Sequence, residues 1–291
     1  MNPFPDNWKA AVRAHNKMPI VLLDGAIRVK LGARLAKDSM GALSFFPDES
    51  AQVQAVGPWL VSEDRALALG IDGCERGVNW LLSALTFEQT YEHLLTWMRG
   101  PDPDAREWSR LADARALLAF AKVWTAPQWE AFCLPWLEWC YANRSGVGHW
   151  LTLPKKPPVP IVSNPYNRPA PPDPVLPIPL TAEQEKALSL ATLVDQTVHA
   201  LRATIVWNQD LRRGREYSHR ILQENLDYAV GQGYECERDL TAIISWAMRR
   251  PSLTLGIRDV QAIEKKLTGE ELALALDQEI ENALYERSRK R

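Results

Sequence analysis

Apolar positions along this chain follow two periods, and the change from one to the other marks its organisation. Up to about residue 154, short apolar runs of strand length alternate with stretches that recur every three or four residues. Ile20, Val21, Leu22 and Leu23 form one run, ended by Asp24 and Gly25. Gly57-Pro58-Trp59-Leu60-Val61 forms a second, and residues 42–46 a shorter one. The longest run is Val78-Asn79-Trp80-Leu81-Leu82-Ser83. Behind it Thr86 and Gln89 have capping-box spacing, and Tyr91, Leu94, Leu95 and Met98 fall at i, i+3, i+4 and i+7, one face of an amphipathic helix. Gly100-Pro101 ends that helix. The spacing further predicts helices near Trp8, over 26–36, over 65–69 and after the capping box Thr125/Gln128. It also predicts a short charge-ended strand over 110–118 and a hairpin of the aromatic runs 136–141 and 149–153. Strands alternating with helices predict an α+β or α/β domain with a mixed sheet over residues 1–154.

Beyond residue 154 the pattern changes. Residues 155–180 carry proline every two or three positions, which excludes helix and central strand and predicts an extended linker or strap. A PxxP ligand is the other use of such composition. From Thr181 the period is helical throughout. Leu190, Leu193, Val194, Thr197, Val198, Leu201 and Ile205 trace one face, and helices follow near 217–230, 240–247, 260–267 and 272–284. Residues 181–291 are therefore expected to form an all-helical lobe.

Composition narrows the function classes. The formal net charge of −2 on 291 residues gives no basic excess for a dedicated nucleic-acid partner. No apolar run approaches the roughly 20 residues of a membrane span, and the N-terminus lacks a signal-peptide pattern, so a cytoplasmic protein is expected. The four cysteines, Cys74, Cys133, Cys140 and Cys236, show no paired spacing, and a reduced state is expected.

Candidate chemistry is sparse. There is no GxSxG, HExxH, Walker or GxGxxG pattern, and the five histidines do not fall at metal-ligand spacing. No metal and no cofactor are expected. His93, beside the apolar face of its helix, reads as a hydrogen-bonded histidine rather than a ligand. Asp24, Arg110, Asp113 and Arg115 form the most concentrated charge set. Its structural reading is an ion-pair cluster that pins one element to another. Its catalytic reading is a small-anion enzyme using Asp24, Asp113 and Arg115. The 12 tryptophans suit an aromatic-rich core or an interface. Trp59, Trp80, Trp97 and Trp139, with Leu201 and Ile205 on the long helix, are the expected partner-binding positions if the interface reading holds.

Several motifs, in order, resemble a known family. They are Leu22-Leu23-Asp24-Gly25-Ala26, Val56-Gly57-Pro58-Trp59-Leu60-Val61, Gly77-Val78-Asn79-Trp80-Leu81-Leu82-Ser83, His93-Leu94, and Arg110-Leu111-Ala112-Asp113-Ala114-Arg115. Together they cover roughly residues 18–154 and resemble the domain of unknown function found in effector chaperones, or adaptors, of type VI secretion. The resemblance implies a non-enzymatic role: binding the N-terminal region of one secreted effector, keeping it soluble, and loading it onto a VgrG or PAAR spike protein. It implies no nucleic-acid partner and no membrane insertion by the adaptor itself.

Overall fold

The computed structural model describes residues 4–99, 109–155, 179–200, 215–250, 257 and 260–289. Leu201, Ile205 and most of the proline-rich stretch, residues 156–178, lie outside the described residues. The chain divides into two compact units, Met1–Glu185 and Lys186–Arg291.

The first unit is built on six strands: β1 (Ile20–Asp24), β2 (Ala42–Ser44), β3 (Pro58–Ser62), β4 (Val78–Ser83), β5 (Trp136–Ala142) and β6 (Gly148–Trp150). They form one sheet in the order β2-β3-β1-β4-β5-β6, and every neighbouring pair is antiparallel. The architecture is α+β, and the mixed sheet expected from strand–helix alternation is corrected to an antiparallel one. The reason lies in one connection. Helix α4 (Glu63–Ala68) carries the chain from β3 to β4, which run in the same direction, but β1 lies between them. The crossover that alternation implies is present, and its two strands are not neighbours.

β1 and β4 are buried along their whole length, and their side chains alternate between the two sheet faces. Val21, Leu23, Trp59, Val61, Trp80, Leu82 and Cys140 share one face with α1 (Trp8–His15) and α2 (Val29–Lys37), which add Trp8, Leu31 and Leu35 to a common core. Leu22, Leu60, Asn79, Leu81 and Trp139 point to the other face. There α5 (Phe87–Arg99), α6 (Ala114–Val123) and α7 (Ala126–Cys133) supply Leu94, Trp97, Leu117, Phe120 and Phe132, all buried. Phe132 contacts both Trp139 and Trp97, with ring centroids 5.8 and 5.5 Å apart.

One local reading of the sequence changes, and one helix is added where the sequence predicted no element. Residues 114–123 are helix, not the second half of a strand. Asp113 caps α6, and the alanines of Ala114–Val123 suit a helix packed through Leu117 and Phe120. Helix α3 (Ala51–Val56), capped by Ser50, occupies the stretch after the turn at 47–50. The reciprocal capping boxes expected at Thr86/Gln89 and Thr125/Gln128 are formed.

In the second unit every described element is a helix: most of α8 (Ala182–Ala200), then α9 (Arg215–Gly231), α10 (Glu237–Arg249), α11 (Gln261–Glu264) and α12 (Gly269–Arg289). Their core holds Leu193, Val194, Leu226, Ile243, Ile244, Ala247, Leu272 and Leu276. The division between units falls inside α8. Before it, Gln184 donates to the Val123 carbonyl and to Gln128 Oε1, at 3.0 and 2.8 Å. The start of α12 takes its cap from α10, where Asp239 Oδ1 accepts the Gly269 N–H at 2.9 Å.

Candidate functional site

The charged residues singled out in the sequence meet at one end of the sheet, where β1 ends and β3 and β4 begin. Asp24 closes β1. One carboxylate oxygen accepts the Ile27 N–H (3.1 Å) and the other accepts Arg110 Nη2 (2.8 Å). Asp113 caps α6: Oδ1 accepts the backbone N–H and the Nε of Arg115, both at 3.0 Å, and Oδ2 accepts Arg115 Nη2 at 2.7 Å. Arg110 Nη2 also stands 3.7 Å from Asp113 Oδ2, so one guanidinium faces two carboxylates.

The set has an inner and an outer layer. The carboxylate side chains of Asp24 and Asp113 are 5% and 6% exposed, whereas Arg110 is 53% exposed. Two acids and two bases balance formally, so the pair of buried acids is compensated where it sits. Asn79, buried in β4, ties the set to the sheet. Its amide donates to the Ala112 carbonyl at 2.7 Å, and its carbonyl oxygen accepts Trp139 Nε1 at 3.4 Å. Leu111 and Ala112 are buried between the two charges of the turn.

This geometry does two things. It fastens the turn 110–113 to the end of β1 and the start of β4, and it turns a guanidinium outward. Both carboxylates spend their acceptor capacity on arginine and on backbone N–H groups. Replacing Asp113 by alanine is expected to lower stability by about 2–3 kcal/mol, because α6 loses its cap and Arg115 loses both carboxylate bonds. Arg110→Ala should also destabilise, though by less than Asp113→Ala, because it leaves the buried Asp24 carboxylate without its guanidinium while removing a side chain that is itself half exposed. Urea unfolding of the two variants checks the order.

The aromatic positions are corrected. Trp59, Trp80, Trp97 and Trp139 are 1%, 1%, 3% and 0% exposed. They lie on both sheet faces and on the inner side of α5. None offers a surface anchor in the folded chain, because a ring that fills a core cannot also cover a partner. Their polar edges are used internally in three cases: Trp59 donates to the Gln54 carbonyl, Trp80 to the Gly73 carbonyl, and Trp139 to Asn79. The apolar side chains that do face solvent in this unit include Val29 on α2 and Val53 and Val56 on α3, which the sequence reading did not single out.

His93 of α5 sits against Trp136, with centroids 5.3 Å apart, and a ring nitrogen is 2.9 Å from the Phe132 carbonyl. Burial pushes its pKa below the ordinary 6.5, and the hydrogen bond opposes this only in part. The unfolded chain therefore takes up the proton more readily than the fold does. Stability is expected to be held above about pH 6.5 and to fall as the pH drops below it toward the folded value. A His93→Gln variant should lose that slope between pH 7.5 and 5 in urea titrations.

Among the described residues no group of three His, Cys, Asp or Glu side chains could hold a metal ion. No helix among them is long and apolar enough to cross a membrane. Neither the curated proteins nor the solved structures compared with this chain give a match. A family model does match: residues 21–131, from the second residue of β1 to near the end of α7 and including all four charges of the cluster, fit the one described as a domain of unknown function (DUF4123).

Proposed function

We propose that this protein is an adaptor for type VI secretion. It binds the N-terminal region of one secreted effector, keeps it soluble and passes it to a VgrG or PAAR spike protein in the cytoplasm. The observation that carries the reading is the family-model match over residues 21–131. It coincides with the ordered motifs that resemble effector adaptors and encloses the charge cluster at the end of β1. The role is non-enzymatic: the cluster's carboxylates serve to hold the turn 110–113 in place.

Exposed apolar side chains grouped on neighbouring helices suit protein contact. Val53 and Val56 are 39% and 47% exposed on α3, while Ala55 between them is buried. The effector-binding positions are therefore sought there rather than at the buried tryptophans.

Co-expression tests the reading. The tagged protein is produced with the product of the large open reading frame next to its gene, full length and without its N-terminal region. A stoichiometric complex that needs that region is the expected result. A well-folded protein that ignores its neighbour in both forms overturns it. The Val53→Glu/Val56→Glu double variant, folded by circular dichroism, is expected to lose capture.

A further inference from the structure

Cys74 and Cys140 are 66 residues apart in sequence, yet their sulfur atoms lie 3.2 Å from each other. Both are wholly buried. Cys140 stands in β5, opposite Trp80 of β4 on one side and Trp150 of β6 on the other. Cys74 lies in the connection between α4 and β4, next to Gly73, whose carbonyl accepts Trp80 Nε1 at 3.1 Å. The connection is thus held against the same face of the sheet from which Cys140 projects. Of the other two cysteines, Cys133 is buried at the end of α7 and Cys236 is exposed before α10.

A disulfide needs its sulfurs at about 2.05 Å, so about 1 Å of approach separates this pair from a bond. Side-chain rotation and a small shift of an irregular connection supply that more easily than movement of two strands would. We propose that Cys74 and Cys140 are an oxidative modification site, a thiol pair that closes to a disulfide when the chain folds in the presence of a low-molecular-weight disulfide, and that the closed form locks the α4–β4 connection onto β5.

The reaction is a double thiol–disulfide exchange. One cysteine thiolate attacks a sulfur of oxidised glutathione, forming a mixed disulfide and releasing one glutathione thiolate. The second cysteine thiolate then attacks the protein-bound sulfur and releases the other. Two protein thiols become one Sγ–Sγ bond, and one glutathione disulfide becomes two glutathione thiols, which carry the protons. The two electrons pass from the protein to the glutathione. Thiolate is the attacking form. In the folded chain burial, then the hydrogen bond with Cys74, push the Cys140 thiol far above its ordinary range. Exchange therefore proceeds while the chain is open, and the folded dithiol is slow to react.

The full-length protein tests this. It is unfolded in denaturant and refolded with oxidised and reduced glutathione, or with reductant alone. It is then alkylated, weighed intact and digested. The expected result is a Cys74–Cys140 peptide as the main cross-link, with two of the four cysteines of the sequence left for alkylation. The melting temperature should rise by about 5 °C or more, because the bond closes a long loop of the unfolded chain. Reductant should reverse the rise, and Cys74→Ser should abolish it. A Cys133→Ala/Cys236→Ala variant, which retains only the pair, should behave as the natural chain does. The inference is overturned if the main cross-link involves Cys133 or Cys236, if no cross-link forms, or if the cross-linked protein melts at the same or a lower temperature. The peptide map on the natural chain decides the pairing even if a variant fails to fold.

Discussion

Replacing Trp139 by alanine is expected to cost about 3–5 kcal/mol, the largest effect of any single change considered. The indole is fully buried in β5 and meets Trp136 edge-on at 5.1 Å and Phe132 at 5.8 Å. Alanine removes that volume, and the backbone of a central strand cannot collapse to fill it. It also leaves the Asn79 carbonyl oxygen without its indole donor in a buried position. Trp139→Phe also removes the N–H but keeps a six-membered ring in the site, so it should cost less, about 1–3 kcal/mol. Ten of the 12 tryptophans precede residue 151, so tryptophan fluorescence during urea unfolding follows the first unit. A Trp139→Ala protein as stable as the parent would mean that the ring does not fill the core.

The second expectation runs against helix propensity. Gly32 lies inside α2, where alanine would normally be preferred by about 1 kcal/mol. Here a Cβ would fall within the van der Waals shell of the Ala55 carbonyl oxygen and 2.9 Å from its carbonyl carbon. Both atoms belong to the backbone of α3 and cannot swing aside. Gly25, ahead of α2, meets the same carbonyl oxygen, 2.6 Å from where its Cβ would stand. The two glycines let α2 and its leading turn lie directly on α3. Gly32→Ala is therefore expected to destabilise by about 2 kcal/mol or more, steric overlap outweighing the propensity gain. Gly231→Ala at the end of α9 is the contrast, since nothing lies within 4 Å of its added methyl. It should be neutral or stabilising by up to about 1 kcal/mol. If the two substitutions have the same sign in urea titrations, the close approach of α2 to α3 is not tight.

The strands were legible where hydrophobicity alone defines them. β1 and β4 are buried on both faces, and uninterrupted apolar runs signal that without help from distant residues. Capping boxes were legible because they are local: Thr86 with Gln89, Thr125 with Gln128, and Thr181 with Gln184 each exchange both hydrogen bonds. Helix α6 was missed because its Ala and Leu run also reads as a short apolar strand. Asp113 is the signal that starts the helix, but its position equally suits a charge at a strand end. Strand direction was misread because sequence shows a crossover but not that β1 lies between its ends.

The charge cluster was partly legible. Asp113 and Arg115 are two residues apart, and their pairing is local. That Arg110 reaches Asp24 across 86 positions is a consequence of the fold. Asn79, which carries the turn 110–113 on the sheet, looked like one polar interruption in an apolar strand. A lone buried-pattern asparagine is a signal worth reading, because such a group needs partners to be tolerated. The tryptophans misled for a related reason. Their number marks a large apolar area to be buried, and number cannot say whether the chain or a partner buries it.

The order of the strands also sets a timetable for synthesis. β4 is complete at Ser83, and one edge of it can pair with β1 as soon as both have emerged. Its other edge is covered by β5, which begins only at Trp136. For more than fifty residues of elongation, the N–H and C=O groups along that side of Val78–Ser83 have no strand to meet, beside Trp80 and Leu81. An open apolar edge of this kind recruits other chains. The nascent protein is most exposed to aggregation in that interval. The region matched by the family model stops at residue 131, inside it, so a fragment cut to those limits would carry the bare edge permanently.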